Sequence, residues 1–391
     1  MGLRHFDPGR GGGVVKSFTF VHTADLHLDK PMEGWRGGKD RLRARREEFR
    51  RTFERIVELA KRRQADFLFI AGDLLEHRYA GRSTVRFVME KLEELSGTNV
   101  LIAPGNHDPC RPDSWYRTER WPDHVHIFSP EWEHHYFSEY NLHLYGKGFA
   151  DYEESSPSLP EIREEGGRRI LVVHGTLTDG EESSPYFPLQ REALAKLEMD
   201  YVALGHIHQS STVRLSNERR TLVRYPGSPE AVRWKETGER TVTVGTFGED
   251  GLTVETVAVQ TRRCEIDRVD VTGCETPEEA IRRVMEKVSG EEREAYRRIH
   301  FTGHRPRDWA IPADWASEQL SRAGFHYAEC VDETVPDYDL EQLRRETGVV
   351  GVFVRRMEER IRSAEPEEQR LLKRALYKGL DALLSREVVR G

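Results

Sequence analysis

An α/β fold is what this chain predicts, and three features predict it. Short apolar runs alternate with amphipathic stretches in its N-terminal part, so strands and helices take turns. Further apolar runs then follow with few helices between them, which calls for a mixed sheet or two stacked sheets. Nowhere does the chain reach the roughly 18 consecutive apolar residues that a membrane span requires.

The alternation begins at SFTFVHT, whose apolar run reads as a buried strand. The next segment places Leu42, Phe49, Phe53, Ile56 and Ala60 on one side of a long helix. DFLFIAGD is the second strand, STVRFVMEKLEEL a second helix and NVLIAPGNHD a third strand. HLYGKGF, RRILVVHG, YVALGHIH, TLVRYPGS and RTVTVGTF are the later strands. Two polar segments, DYEESSPSLPEIREEGGRR and LTDGEESSPYFPLQ, are surface loops, the second shaping a pocket after the His174 strand. Near Gln260 the texture changes. TRRCEIDRVDVTG and YRRIHFTGH read as strands around the helix TPEEAIRRVMEKV, whose N-cap is Thr276. The expected organisation is a flexible lead over 1–17, a catalytic domain over 18–261, an α+β unit over 262–340 and a helical region over 341–391. The last region carries apolar stripes at Val350, Phe353, Met357 and Ile361, then at Leu372, Leu376, Leu380 and Leu383. Such a hairpin either covers the chain's own core or docks a partner.

A length of 391 residues allows about two to three domains, each with its own core. Cys110, Cys264, Cys274 and Cys330 form no CxxC pair, which argues against a disulfide framework or a cysteine zinc site and for a reducing cytoplasm. The opening MGLRHFDPGRGGG lacks the apolar core of a signal peptide, so a soluble protein with no membrane partner is expected. The net charge of -8 hides an asymmetry: between Arg36 and Arg63 there are twelve Lys or Arg against five Asp or Glu. That segment is either a solvated helix face or a phosphate-binding one.

Five strand ends carry hard metal ligands: ADLH (Asp25, His27), AGD (Asp73), GNHD (Asn106, His107, Asp108), VVHG (His174) and GHIH (His206, His208). In D-x-H and H-x-H, residues two apart on an extended chain project to one side, so each pair is expected to address one point. Carboxylate, imidazole and amide oxygen without thiolate suit manganese, iron or zinc with open water positions. Two such ions suit the in-line displacement of a phosphoester.

The order D-x-H, GD, GNHD, H, G-H-x-H resembles the calcineurin-like metallophosphoesterase superfamily. HTADLHLDKP and YPGSPEAVRWKE narrow the resemblance to the SbcD-type DNA double-strand-break repair nucleases, and the C-terminal helices fit the shorter YhaO-like bacterial branch. The resemblance is strong over about residues 18–260, weaker to about 340. It implies a β-sandwich flanked by helices, a small α+β capping domain and C-terminal helices. It also implies that Asp25, His27 and His208 hold one metal, that Asn106, His174 and His206 hold the other, and that Asp73 bridges them. His107 then contacts the scissile phosphate and stabilises or protonates the leaving oxygen, with Asp108 orienting its ring.

The implied activity is a 3′-to-5′ exonuclease and single-strand endonuclease with two manganese ions, or iron, zinc or magnesium in their place, and a two-metal-activated hydroxide. DNA and an SMC-like ATPase subunit of SbcC or YhaN type are the implied partners, in a homodimer. Two alternatives stay open: a phosphodiesterase acting on a small phosphoester, and a scaffold tethering DNA ends for the ATPase. This chain departs from the family at Ala24, where a Ser is common, and at Glu76, where an Asp is common; neither is expected to touch a ligand. His22 is expected to be packed, and His77, His124, His126, His134, His135 and His143 to be surface or hydrogen-bonded groups. His300, His304 and His326 receive no chemistry. Trp115, Trp121 and Trp132 are expected to pack rather than to stack on bases.

Overall fold

A computed structural model describes residues 15–31, 34–35, 38–156, 158–164, 166–180 and 182–384, the side chain of Arg370 excepted. Most of the expected flexible lead, together with Arg36 of the basic segment, lies outside the described residues. The chain divides after Cys264 into two compact units.

In the first unit the strands are β1 (Phe18–Thr23), β2 (Phe67–Ile70), β3 (Asn99–Ile102), β4 (Val125–Ile127), β5 (Glu133–Phe137), β6 (Leu142–Lys147) and β7 (Arg168–His174). They continue with β8 (Thr176–Thr178), β9 (Pro188–Gln190), β10 (Tyr201–Gly205), β11 (Ser211–Arg214), β12 (Leu222–Tyr225), β13 (Thr241–Gly248) and β14 (Gly251–Ala258). One six-stranded sheet has the order β14-β13-β1-β2-β3-β4 and the other β11-β12-β10-β7-β6-β5, with β8 and β9 paired apart. Helices α1 (Lys39–Arg62), α2 (Arg82–Glu93), α3 (Trp115–Thr118) and α4 (Arg191–Ala195) follow β1, β2, β3 and β9.

The strand sequences explain the layers. On β1 and β2, Phe18, Phe20, Phe67 and Phe69 join Leu144, Ile170, Val172, Tyr201 and Ala203 of the other sheet in one buried cluster. The alternate residues Val21, Leu68 and Ile70 pack with Phe49, Phe53, Ile56 and Ala60 of α1 and with Val85 and Val88 of α2. Side chains two apart share a face, so strands buried on both faces read as continuous apolar runs. In the second sheet Leu171, Val173, Val202 and Leu204 enter a further cluster with Phe187, Leu194 and Met199.

Strands β1, β2 and β3 run parallel, and so do β6, β7 and β10. Each candidate ligand group stands at or just past the carboxyl end of one of these strands, the edge at which α/β sheets place their sites. His174 of β7 hydrogen-bonds Ala71 just beyond β2, so both sheets deliver their ends to one place.

The second unit holds β15 (Cys264–Asp270), α5 (Pro277–Lys287), β16 (Tyr296–Thr302), β17 (His304–Arg305), α6 (Ala313–Arg322), β18 (Tyr327–Asp332) and β19 (Val335–Pro336). Its three-stranded sheet, β15-β16-β18, packs Ile299, Phe301 and Cys330 against Ile281 and Val284 of α5 and Leu320 of α6. Thr276 caps α5 by accepting a hydrogen bond from Glu279 N. Helices α7 (Leu340–Arg345), α8 (Val349–Ser363) and α9 (Pro366–Leu384) complete it. Val354, Leu376 and Leu380 close over Tyr338 and Leu343, while Val349, Val352, Leu371 and Leu383 remain exposed. Among the described residues no helix is long and apolar enough to cross a membrane.

Candidate metal centre

Asp25, His27 and Asp73 lie just past their strands with φ of 55°, 49° and 53°. Non-glycine residues avoid this left-handed region at a cost of order 1–3 kcal/mol each, and such strain collects at functional sites. The expectation that D-x-H pairs converge on an extended chain is therefore corrected for Asp25 and His27. They do converge, but through left-handed turns that begin where β1 ends. Two glycines permit the crowding: a Cβ on Gly105 would overlap the Asp73 carboxylate, and one on Gly205 would overlap the Ala71 carbonyl.

Asp25, His27 and His208 present ligand atoms to one another within 4.8 Å, as do Asp25, Asp73 and His174. Asp73 Oδ2 lies 3.5 Å from His27 Nε2 and 3.5 Å from His174 Nε2, midway between the two groups. Asn106 Oδ1 is 3.0 Å from His174 Nε2 and 3.3 Å from His206 Nδ1. All seven residues expected to bind metal thus meet at one place. The His206 amide donates to both Asp25 oxygens, at 3.0 and 3.1 Å.

Proton positions follow from partners that can only accept. His174 Nδ1 donates to the Ala71 carbonyl at 2.9 Å, and His208 Nδ1 donates to Glu236 Oε1 at 2.8 Å. The Nε2 lone pair of the neutral His174 ring therefore points inward, as does that of His208 in its neutral form; burial opposes the His208 charge, but the Glu236 hydrogen bond and the Asp25 carboxylate outweigh it and raise its pKa until a metal displaces the proton. His208 Nε2 meets His27 Nε2 at 3.1 Å, and His174 Nε2 meets Asp73 Oδ2. Acceptors facing acceptors in a buried place are short of a cation, so the donor set fits divalent metal. The ionisations of the more deeply buried groups agree. Burial lifts the Asp25 carboxyl to about 7 and raises that of Asp73. Burial also lowers His174 and His206 to about 4 and His27 well below the ordinary imidazole value. Such a pocket destabilises its own carboxylates until positive charge enters it.

His107 stands at the rim with 34% of its side chain exposed. Its Nδ1 donates to both oxygens of Glu76, at 2.9 and 3.0 Å, which leaves Nε2 free on the other side of the ring. Burial opposes its charged form, but the Glu76 hydrogen bond and the charges of Asp73 and Glu76 outweigh that, and its pKa lies above the ordinary value. Two expectations are corrected here. Asp108 is not the ring's anchor, because both of its oxygens are engaged elsewhere. It accepts from the amides of Asp73, Gly105 and Leu75 and from the Tyr116 hydroxyl at 2.6 Å, stapling the GNHD turn to the loop after β2. Glu76 does touch a predicted ligand: besides its bond to His107, it lies 3.6 Å from His27 Nδ1.

Sequence reasoning gave Glu236 no role, although it sits in the quoted RWKE. It accepts from His208, from Ser228 Oγ at 3.1 Å and from Val232 N at 2.8 Å. The site opens into a cleft of about 480 Å³ whose lining includes Lys30, His107, Tyr186, Arg233 and Lys235. Its rim is thus cationic. His22 is fully buried and bonded to the Tyr201 hydroxyl at 2.8 Å. Trp115, Trp121 and Trp132 each donate their indole N–H to a backbone carbonyl, a packing role.

Residues 18–210 match the family model for calcineurin-like phosphoesterases. The "uncharacterized metallophosphoesterase YhaO" of Bacillus subtilis (strain 168) is 34% identical over 242 residues, 58% of this chain and 57% of that protein. The "DNA double-strand break repair protein Mre11" of Methanopyrus kandleri is 28% identical over 297 residues, 68% of this chain and 62% of its own length. The protein of the same description from Methanosarcina acetivorans is 24% identical over 290 residues, covering 68% and 42%. In each case the match spans less than two thirds of the relative.

Proposed function

We propose that this chain, whose residues 18–210 match the calcineurin-like phosphoesterase model, is a metallophosphoesterase of that family that hydrolyses phosphodiesters, and that its substrate is DNA. The observation that carries the chemistry is the placement of Asp73 Oδ2 midway between two nitrogen-rich ligand groups, with His107 beside them. Asp25, His27 and His208 would hold one divalent ion and Asn106, His174 and His206 the other, with Asp73 shared. Bound there, a pair of ions such as manganese would supply Lewis acidity and a water of lowered pKa.

The chain's own groups do the rest. His107 keeps its Nδ1 proton on Glu76, so Nε2 is the atom that reaches a phosphate in the cleft and gives a proton to the departing oxygen. Lys30, Arg233 and Lys235 bind and orient the anion. Burial of Asp25, His27, Asp73, Asn106 and His174 keeps bulk water from competing for their oxygens and nitrogens.

DNA is favoured over a small phosphoester by the cationic rim, by the exposed arginines of α1 such as Arg43, Arg46 and Arg51, and by the likeness to proteins described as Mre11. An SMC-like ATPase subunit is the partner this reading implies, with the exposed apolar residues of α8 and α9 as a candidate contact. The test is end-labelled single- and double-stranded DNA incubated with the chain and manganese beside a model diester. DNA cleavage lost in His107→Asn with metal content kept supports the reading. Diester turnover with DNA untouched, with or without an ATPase partner, replaces it with a small-molecule phosphodiesterase.

A further inference from the structure

The edges of the two sheets carry a second constellation that the catalytic reading does not use. On β4, the terminal strand of one sheet, stands His126; on β5, the terminal strand of the other, stand Glu133 and His135. Glu133 Oε2 lies 2.8 Å from His126 Nε2 and 3.3 Å from His135 Nε2, and the two Nε2 atoms are 3.1 Å apart. We propose that His126, Glu133 and His135 form a zinc-type site that clips the two sheets together at their edges.

The distances are those a tetrahedral ion imposes. Ligands at about 2.0–2.1 Å on a tetrahedron lie roughly 3.3 Å apart, so the three edges fall within about half an ångström of the geometry before any ion draws them in. The donor set is two imidazoles and a carboxylate, a set that zinc and its neighbours accept. The carboxylate is held in place from behind: Ser129 N donates to Glu133 Oε1 at 2.6 Å, which turns Oε2 toward the two rings. The imidazole planes cross at 67°, so both lone pairs can aim at one point without stacking. Side-chain exposures of 24% for His126, 26% for Glu133 and 17% for His135 leave room for water as a fourth ligand. The neighbouring group of His134, His143 and Glu164 also lies within 4.8 Å but aims less well at one point. Its histidine rings stack at 17°, and His134 spends one nitrogen on each partner. Sequence reading left His126 and His135 as isolated groups because they belong to different sheets.

The full chain is stripped with a chelator, dialysed against zinc, and its metal counted beside His126→Gln and His135→Gln. The wild type is expected to retain one equivalent more than either variant, with manganese-dependent diester hydrolysis the same in all three. Equal zinc content overturns the proposal and leaves a hydrogen-bonded cluster. If the variants do not fold, wild-type chain preloaded with manganese is titrated with cobalt(II). One equivalent giving the intense visible bands of four-coordinate cobalt supports the site, and only weak six-coordinate bands overturn it.

Discussion

Replacing Glu76 with Gln tests whether its carboxylate acts through His107. The amide can still accept from Nδ1 but carries no charge. A hydrogen bond to a charged partner contributes about 1.5–3 kcal/mol against about 0.5–1.5 for a neutral one. The difference, about 1–1.5 kcal/mol, lowers turnover by roughly 5- to 13-fold if it is felt only when His107 is charged. Glu76→Ala removes the whole interaction, and the same arithmetic gives roughly 10- to 150-fold. The assay compares two diesters under manganese, one with a nitrophenolate leaving group and one with an alkoxide. A nitrophenolate departs without a proton, so the loss should be confined largely to the alkoxide. Because Glu76 works through His107, Glu76→Gln combined with His107→Asn should be no slower than His107→Asn alone. Independent, multiplying losses in the double variant, or equal losses on both leaving groups, would refute the reasoning. Metal content is measured alongside, since Glu76 also approaches His27.

Three further outcomes are expected. Asp73→Asn removes the shared carboxylate, so manganese retained after dialysis should fall below two equivalents and hydrolysis should collapse; two equivalents retained would remove Asp73 from the bridging role. Exposed Arg43 and Arg46 lie on one face of α1, and Arg43→Glu with Arg46→Glu should weaken DNA binding and reduce the salt slope by up to about two units, each phosphate contact contributing roughly 0.9. An unchanged slope places that face outside the footprint. Glu230→Ala removes one of the two carboxylates on the buried Arg45 guanidinium, the one 2.6 Å away with side-chain exposures of 2% and 1%, and leaves Glu48 at 2.8 Å, so urea unfolding should register a loss of about 1.5–3 kcal/mol, that of one charged hydrogen bond. A loss under 1 kcal/mol would mean that water reaches the pair.

The layers were legible because the strands are buried on both faces, which leaves runs such as FLFI without a polar interruption. The candidate ligands were legible because each stands where such a run stops, so the polar residue has no packing reason to be there. What sequence could not give is contact between segments. Glu76 meets a ring 31 positions away and Glu236 one 28 positions away, and no local period encodes either meeting. The Asp108 error has the same origin. Adjacency in GNHD suggested a partnership with His107, whereas the turn directs the Asp108 carboxylate into the amides and the tyrosine behind it. Left-handed turns at Asp25 and His27 were likewise hidden: Asp and His adopt a positive φ more often than most non-glycine residues, but still too rarely for either to announce one.

The basic segment shows how a composition count mixes two roles. Arg45 belongs to the +7 excess counted from Arg36 to Arg63, yet it is buried against Glu48 and Glu230 and donates to the Ala231 carbonyl. Glu230 in turn accepts from Thr52 of the same helix and from Thr261 N. That network ties α1 to the segment carrying Glu236, the residue that sets the proton of His208. Helix α1 therefore has an outer face that offers arginines to solvent and an inner arginine that anchors the support of a candidate metal ligand. The two are separable by experiment. Charge reversal at Arg43 and Arg46 should change DNA affinity and leave turnover of a small diester alone. Loss of Glu230 should impair small-diester turnover through His208 as well as stability, with no change in the salt slope. If both changes altered only DNA affinity, the buried network would have no part in holding the metal centre.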